Sequence, residues 1–509
     1  MNARAASTSS PAAPERALHA GRLYVGVLAV FLGVYALTTQ RGCAWQDSGI
    51  FQWRILQFDL QGWLGLALSH PLLILLGKAF SHLPFGPLAW RMNLVSAVCG
   101  ALAVANVAVL VRRLVPARPT AAWLAAGLFG LAHTSWWLAT ICESQMLLAA
   151  IFTAELNVLV SLLRRPRAHL VVLLGALNGL GLTAHNLALL AVPVYGLVVV
   201  GLCWRRRLRW SSMALLVAGW LVGASGFLAL IVRGASSDRL AAAVSSALFG
   251  ARWRGSVLGG SLRAVAMGAG CVAYNFPNAA LPLAVVGLAG LRKQPPRALG
   301  RALAALAGIY LLFAIRYRVA DQFMFFLPFY AMVAVLAGVG YDRLAARPWG
   351  AGLAAVATAS LLVGPILYAV MPVVARAADL PLPGRKDLPF RDPGRYWLSP
   401  WKAAEDSAGR FARAALDEAP AGSIVVADST SLYPLLWTKH ARGGSGGASL
   451  VGPGQALRPG TPDVFVVSTL PGYCPEWIRQ GASLEKDRED AVLFRVVWRP
   501  ATQRATVRD

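Results

Sequence analysis

Long apolar segments separated by short polar or basic stretches make up most of the chain. Each is close to the roughly 20 residues that a helix needs to cross a hydrocarbon core about 30 Å thick. The pattern therefore predicts a polytopic α-helical membrane protein with about eleven transmembrane helices. The predicted helices lie at about residues 23–38, 88–111, 120–138, 144–163, 169–184, 186–203, 211–232, 266–291, 302–315, 323–340 and 349–373.

Basic residues cluster at alternate ends of these segments, and this predicts the orientation of the chain. The densest clusters are RRPRAH at 164–169 and WRRRLRW at 204–210. Cytoplasmic loops of membrane proteins carry an excess of Lys and Arg. We therefore expect residues 1–22 to be a disordered basic tail in the cytoplasm, and the first loop (39–87) and the C-terminus to lie outside. The basic outer loop at 233–263 runs against this rule.

The stretch from Gln46 to Asn93 is too polar to span a membrane and too rich in apolar and aromatic residues to be a free loop. We expect it to be a structured outer loop on the membrane surface. Within it, IFQWRILQF has the composition of a short amphipathic helix lying in the interface. Asp47 stands at the start of this helix, where the helix N-terminus favours an ionised carboxylate that can accept a proton.

The character of the chain changes after residue 374, where a proline-rich linker leads into a stretch of soluble composition. Strands are predicted for SIVVAD (423–428), DVFVVS (463–468) and AVLFRVV (491–497), and helices for about 401–417 and 431–438. We therefore divide the chain into a transmembrane domain at 23–373 and a small α/β domain at 374–509 on the outer face.

The composition excludes an ordinary soluble protein and gives no support to nucleic-acid binding. The chain is 57% hydrophobic and only 14% charged, whereas soluble domains carry about 25% charged residues. Its formal charge of +25 comes from clusters at helix ends and not from a basic soluble domain. The six cysteines show no metal-ligand spacing, so no metal site is predicted. Cys43 and Cys474 both fall on the predicted outer side, and a disulfide between them is left open.

Ionisable side chains near the outer membrane surface are costly unless paired, so each is a functional candidate. Asp47 and Glu143 are the candidate catalytic carboxylates, although Glu143 is also placed to cap a helix. The candidate substrate-binding residues are Arg54, His70, Arg91, His185, Arg316, Arg318 and Asp321. A turn position is the alternative for His185, and a local salt bridge is the alternative for Asp321. Guanidinium groups suit phosphate or bulk anionic lipid, and the outer-loop arginines are Arg233, Arg239, Arg252, Arg254, Arg316 and Arg318.

Several segments resemble a GT-C-like family of membrane proteins that includes the eukaryotic transmembrane O-mannosyltransferase. The most specific are QDSG (46–49), SHP (69–71), LLGKAF (75–80) and LPFGPLAWRMNLVSAVCGALAV (83–104); weaker ones are GLTAHN, YNFPN, DQFMFFLPFYA and ADSTSLYPLLW. The resemblance implies a GT-C fold whose first outer loop holds a catalytic aspartate, matched by Asp47. It also matches Glu143 to a second acidic residue and His70 to a His-Pro pair. The chain departs from the family pattern at Ile50 and at residues 72–74.

These features predict an inverting, metal-independent glycosyltransferase that moves a sugar from a polyprenyl-phosphate donor to a protein or glycolipid acceptor. Transfer is expected on the outer face of a bacterial inner membrane or a plasma membrane, with Asp47 as general base and arginines holding the leaving phosphate. No cofactor is predicted besides the lipid-linked donor. The alternative is a transporter or lipid-handling protein without covalent chemistry, although the chain shows no internal repeat of the transporter type. An inactive scaffold with the same fold is a third hypothesis.

Overall fold

The structure is a computed structural model that describes residues 13–235, 240–250, 255–256, 261–291, 296–444, 447–452, 455 and 457–500. Up to residue 377 the described chain is mostly helical. Its helices are α1 (Ala13–Thr38), α2 (Gln46–Gln57), α3 (Pro71–Ser81), α4 (Leu88–Leu114), α5 (Pro119–Gly130), α6 (His133–Ala139), α7 (Gln145–Arg164), α8 (Ala168–Ala184), α9 (Val192–Trp204), α10 (Ser211–Ala235), α11 (Leu240–Phe249), α12 (Leu262–Asn275), α13 (Ala280–Leu291), α14 (Arg297–Arg316), α15 (Leu327–Ala345), α16 (Gly350–Ala359) and α17 (Val363–Ala377). Short 3₁₀ turns lie at Leu66–Leu68, Asn186–Ala191, Gln322–Phe326 and Ser360–Leu362.

The length and composition of these helices make the chain an integral multi-pass membrane protein. Within the described residues, eight helices are long and apolar enough to cross a membrane, and the bent pair α12 and α13 raises this to nine. The predicted total of eleven therefore stays a prediction. One predicted helix, at 120–138, is divided into α5 and α6. The predicted helix at 266–291 bends by 98° between α12 and α13, where Pro277 lacks the N–H that a continuous helix needs.

Helix α1 starts earlier than the predicted boundary at residue 23. It begins at Ala13, so the described part of the predicted disordered tail is helical. The segment APERALHA explains this, because Ala, Glu, Arg and Leu are strong helix formers and proline is tolerated in a first helical turn. Residues 1–12 lie outside the described chain.

Close packing of the helical core depends on small residues, as is common between membrane helices. At the contact of α13 with α15, a Cβ atom added to Gly287 would lie 1.8 Å from the carbonyl oxygen of Leu336. An added Cβ on Gly340 would lie 1.9 Å from the carbonyl oxygen of Leu283. Glycine therefore lets the two backbones approach on both sides of this interface.

The predicted amphipathic helix in the first outer loop is present as α2, but its apolar side chains face the protein interior. Ile50, Phe51 and Ile55 are each at most 5% exposed. Helix α2 packs against α3 on one side and against the C-terminal domain on the other. Phe51 packs against His70, and Ile55 lies beside Gly77 of α3. The position of α2 at the membrane surface stays a prediction.

The C-terminal domain is an α/β unit with a five-stranded sheet. Its helices are α18 (Pro393–Leu398), α19 (Ser407–Glu418), α20 (Leu432–Ala441) and α21 (Glu476–Gly481), and its strands are β1 (Ile424–Val426), β2 (Ser449–Val451), β3 (Val464–Val466), β4 (Ala482–Glu485) and β5 (Phe494–Trp498). The strand order is β2-β1-β3-β5-β4. Strand β1 is parallel to both β2 and β3, whereas β5 is antiparallel to β3 and β4. The predicted segments 423–428 and 463–468 contain β1 and β3, and the predicted segment 491–497 overlaps β5.

Cys43 and Cys474, the two cysteines that were left open as a disulfide, are not joined. Both are buried and both are free thiols in the structure. Cys43 precedes α2 in the first loop, whereas Cys474 precedes α21 in the C-terminal domain.

Candidate active site

A cavity of about 200 Å³ lies where the first outer loop, the start of α7 and the C-terminal domain meet. We call it the carboxylate chamber, because Asp47, Glu143 and Asp321 all line it. The other lining residues are Trp45, Gln46, Ser48, Ile50, Trp137, Ala320, Met324, Gly384, Tyr396, Trp397, Ser429 and Thr430. Two predicted catalytic residues and one predicted substrate-binding residue thus share one cavity.

Asp47 lies in the first turn of α2, as the sequence predicts. The turn is tightly constrained on both sides of it. Gln46 has a left-handed backbone with φ 56°, a conformation that is costly for a non-glycine residue. A Cβ atom added to Gly49 would lie 2.3 Å from the carbonyl oxygen of Ala44. The residues QDSG therefore form a constrained turn, and this turn sets the direction of the Asp47 side chain.

The protonation of Asp47 differs from the prediction of a carboxylate kept ionised by the helix N-terminus. Burial, and then the nearby Asp321 carboxylate, together raise the pKa of Asp47 to about 7. Removal from water disfavours the charged form of a carboxyl group, and a like charge adds to that effect. Asp47 is consequently poised to exchange a proton near neutral pH.

Glu143 is buried beside this turn and does not cap α7. Its Oε1 accepts a hydrogen bond from the Ser48 hydroxyl at 3.0 Å, whereas the N-terminus of α7 receives no side-chain cap. The backbone N–H of Glu143 donates to Ser96 Oγ at 3.0 Å. Burial, and then the Asp47 carboxylate, hold the pKa of Glu143 well above its usual range. The capping alternative is therefore not what the structure shows.

Asp321 completes the group of carboxylates from the opposite side of the chamber. It directly precedes the 3₁₀ turn Gln322–Phe326 that leads into α15. Burial raises the pKa of Asp321 as well. Three acidic groups that share a poorly solvated cavity resist simultaneous ionisation.

His70 and His185 lie together behind α2 and do not line the chamber. Their rings stack with centroids 5.0 Å apart, and Phe51 contacts the His70 ring edge-on. His70 Nδ1 is 2.8 Å from the carbonyl oxygen of Ala184, and His185 Nδ1 accepts a hydrogen bond from the backbone N–H of Leu187. Burial lowers the pKa of both, that of His185 to about 4. Both histidines are therefore neutral, and their stacked rings form a packing contact between the start of α3 and the turn after α8.

The predicted arginines occupy three kinds of position. Arg54 is buried, and its guanidinium donates to the carbonyl oxygens of Asp59, Leu68 and Ser69. Arg91, at the start of α4, donates to the carbonyl oxygen of Leu83. Arg316 is exposed at the end of α14, and Arg318 lines a second, larger cavity. Arg239, Arg252 and Arg254 lie outside the described residues.

The larger cavity adjoins the carboxylate chamber and has a volume of about 700 Å³. Ala320 and Trp397 line both spaces. Its lining is mainly apolar, and it carries Arg263 and Arg318. We call it the arginine cavity. Its other lining residues include Ala264, Met267, Tyr274, Val319, Phe323, Pro381, Leu382, Pro383 and Leu398.

No local pattern in the sequence predicts the aromatic wall between the two cavities. The Trp137 and Trp397 rings stack at an interplanar angle of 10° with centroids 5.9 Å apart. Trp137 Nε1 donates to the carbonyl oxygen of Tyr396 at 3.1 Å. Trp397 and Tyr396 come from the C-terminal region, so only the folded chain brings them to Asp47.

Comparison with known proteins gives one family match and several similar folds. Residues 68–207 match the family model described as the protein O-mannosyl-transferase TMEM260 N-terminal domain. No curated protein matches the chain in sequence. The apo structure of ArnT from Cupriavidus metallidurans has a TM-score of 0.58 at 15% identity, covering 94% of this chain and 98% of that one.

Two further solved structures are similar. ArnT from Cupriavidus metallidurans bound to undecaprenyl phosphate has a TM-score of 0.54 at 15% identity, covering 95% of this chain and 98% of that one. The Archaeoglobus fulgidus oligosaccharyltransferase tethered with an acceptor peptide has a TM-score of 0.41 at 12% identity, covering 85% of this chain and 64% of that one.

The ArnT matches cover nearly the whole chain and define a GT-C-like membrane fold with a C-terminal sheet domain. The segment at 68–207 adds an O-mannosyltransferase-like family signature within that fold. The predicted resemblance to GT-C-like, O-mannosyltransferase-like membrane proteins is thereby confirmed. Fold and family match together support a membrane glycosyltransferase.

Proposed function

We propose that the protein moves one sugar from a polyprenyl-phosphate donor to a hydroxyl group of an acceptor. The observation that carries this proposal is the junction of the carboxylate chamber with the arginine cavity at Ala320 and Trp397. A lipid phosphate requires apolar walls and cations, and an acceptor hydroxyl requires a base. The adjoining cavities offer each of these in one place. The similar ArnT structure contains undecaprenyl phosphate, which supports a donor of this class.

Asp47 is the general base of the proposed reaction. The acceptor oxygen attacks the anomeric carbon of the sugar, the bond from that carbon to the phosphate oxygen breaks, and the acceptor proton passes to Asp47. A pKa of about 7 suits this role, because a base works best when its pKa lies near the operating pH. One displacement without a covalent enzyme intermediate inverts the anomeric configuration, and it requires no metal ion.

The leaving phosphate is held by Arg263 and Arg318 in this proposal. Negative charge builds on the phosphate as the sugar bond breaks, and fixed guanidinium groups stabilise such charge. Apolar side chains of the same cavity, among them Met267 and Phe323, cover the first part of the lipid. Arg54 and Arg91 are better explained as structural, because their guanidinium groups already donate to backbone carbonyls.

Glu143 and Asp321 orient the acceptor opposite Asp47. Burial and the Asp47 carboxylate raise the pKa of Glu143. A higher pKa favours the protonated carboxyl group, which can donate as well as accept a hydrogen bond. The match to an O-mannosyl-transferase family model favours a hydroxyl of a protein over a glycolipid as acceptor. The distribution of arginines favours transfer on the outer face, with the N-terminus in the cytoplasm.

The test is sugar transfer by the purified full-length protein in detergent, with undecaprenyl-phosphate-linked hexoses as donors and Ser/Thr-rich peptides as acceptors. We expect Asp47→Asn to abolish transfer, since the amide has the size of the carboxylate but cannot take the proton. Asp379→Asn is the matched control, because Asp379 is exposed in the linker and its left-handed backbone suits asparagine. Transfer by Asp47→Asn at the rate of this control would exclude Asp47 as the base.

A further inference from the structure

Residues 381–385 form a strap that runs along both cavities. Pro381, Leu382 and Pro383 line the arginine cavity. Gly384 lines the carboxylate chamber with a left-handed backbone, φ 82°. A Cβ atom on Gly384 would contact the Trp397 ring at 3.4 Å and the Gln46 side chain at 3.6 Å. The strap therefore closes over the place where the two cavities meet.

Arg385, the last residue of the strap, is buried inside the C-terminal domain. Its guanidinium forms ion pairs with Asp387 and Asp428, and its Nη2 donates to the carbonyl oxygen of Val467 at 2.6 Å. Tyr473 lies against the same guanidinium with its ring centroid 5.5 Å away. Arg385 is 2% exposed. A buried guanidinium with this number of partners is firmly held.

The position of Arg385 in the sheet is informative. Asp428 follows β1 and Val467 follows β3, and these strands are adjacent and parallel. The chain leaves β1 towards β2 on one side and returns to β3 on the other, so the strand order reverses between β1 and β3. In open α/β sheets this switch point, at the carboxyl ends of the strands, is where ligands bind. Here the chain's own Arg385 occupies it.

A short chain of hydrogen bonds leads from Arg385 to the base. Asp428 pairs with Arg385 through Oδ2, and its Oδ1 accepts the backbone N–H of Thr430 at 2.7 Å. The carbonyl oxygen of Thr430 accepts the backbone N–H of Gln46, the residue before Asp47, at 3.4 Å. The same aspartate thus holds the strap and the loop that supports the turn of Asp47.

We propose that Arg385 is a positioning residue for the transfer reaction: docked in the switch point of the C-terminal sheet, it holds the strap and the Thr430 loop against the Gln46 turn, and so sets the alignment of donor and base. This inference rests on the proposed function. The switch point of this sheet is accordingly a docking site for the linker, and the C-terminal domain acts as a wall of the active site.

Backbone hydrogen–deuterium exchange of the full-length protein in detergent tests, without any substrate, whether Arg385 holds the Gln46 turn in place. We expect Arg385→Gln to raise exchange several-fold in the peptide covering residues 45–50, which Arg385 does not touch. Asp428→Asn should have the same effect, and the double variant should exceed neither single one, because all three break one linkage. Arg376→Gln, which removes an exposed ion pair with Asp392 in the same linker, is the control. Unchanged exchange at residues 45–50 in Arg385→Gln would overturn the proposal.

Sugar transfer by the same variants tests the functional part. We expect Arg385→Gln to lower kcat about tenfold or more and to move the acid limb of the pH profile to lower pH, because a loosened turn lets water reach Asp47. Arg385→Lys should recover part of the loss, and it serves as the reference if the glutamine variant does not fold. A loss of activity with an unshifted acid limb contradicts the proposal. The two proposals fail in different ways. If Asp47→Asn is inactive and Arg385→Gln transfers at the wild-type rate, only the inference about the strap is rejected. If Asp47→Asn is fully active, the proposed base is rejected.

Discussion

The hydroxyl of Ser48 donates a hydrogen bond to Oε1 of Glu143 at 3.0 Å, across 95 positions of sequence. Ser48 follows Asp47 directly, so this bond links the turn that carries the proposed base to the residue that precedes α7. Both partners are buried, at 4% and 3% exposure. The relative position of the Asp47 and Glu143 carboxyl groups is therefore set by a contact inside the site and not by the loop alone.

Two substitutions of Glu143 separate its contribution to stability from its contribution to sugar transfer. Glu143→Ala leaves the buried Ser48 hydroxyl without its acceptor, and we expect a loss of about 1–3 kcal/mol in the free energy of unfolding. Glu143→Gln retains an oxygen acceptor for Ser48, so it should unfold close to the wild-type temperature. Its NH2 group can only donate, whereas the second carboxyl oxygen of Glu143 can also accept, so we expect transfer to fall about tenfold or more. Thermal unfolding in detergent and transfer rates measure the two effects. Equal destabilisation by both substitutions would show that Ser48 does not depend on this acceptor.

The pH dependence of transfer reports the protonation of Asp47. A base must be deprotonated to act, so kcat/KM should fall as the pH drops below the Asp47 pKa of about 7 and level off above it. The Asp321 carboxylate contributes to the raised value. Asp321→Asn removes that like charge, and we therefore expect its acid limb at lower pH than that of wild type. An acid limb that moves to higher pH in this variant would contradict the electrostatic coupling of the two groups.

The arginine cavity predicts a selective effect on the lipid donor. Arg263→Gln and Arg318→Gln each remove one cation from the proposed phosphate site, and we expect each to raise KM for the donor roughly tenfold with little change for the acceptor. Loss of both should cost about the sum of the two effects if each contacts the phosphate independently. Steady-state kinetics with varied donor measure this. Arg301→Gln, an exposed change at the start of α14, should leave KM unaltered, and a donor KM insensitive to both cavity arginines would move the phosphate site elsewhere.

The overall fold follows from simple features of the sequence. Apolar length and the position of basic clusters predict a multi-pass helical protein, and the β-branched segments after residue 374 predict the strands of the C-terminal domain. Both depend on local composition, which a single sequence displays. The break before His133 and the bend at Pro277 are harder to predict, because each is decided by what the two helical halves contact.

The site was predictable only in part. Asp47 and Glu143 are candidates from the sequence because the predicted topology places both at the same membrane surface and both match the resembling family. In the structure the two residues line one chamber. Arg54 was predicted to bind substrate because of its charge. In the structure its guanidinium group donates hydrogen bonds to the carbonyl oxygens of Leu68 and Ser69 instead. The contact of Gln46 with Thr430 depends on two segments that only tertiary folding joins. No local sequence pattern predicts such a contact.

The participation of the C-terminal domain in the chamber has a consequence for how activity arises during biosynthesis. Trp45, just before the base, donates to Ser407 at 2.8 Å, a residue 362 positions later. A ribosome releases the Asp47 loop long before it has made the wall that encloses it. Before that, the residues of the later chain that line the chamber around Asp47, among them Tyr396, Trp397 and Thr430, are missing. We therefore expect the proposed transfer to begin only when the last domain has been made and has docked, and a chain truncated before residue 374 to show none.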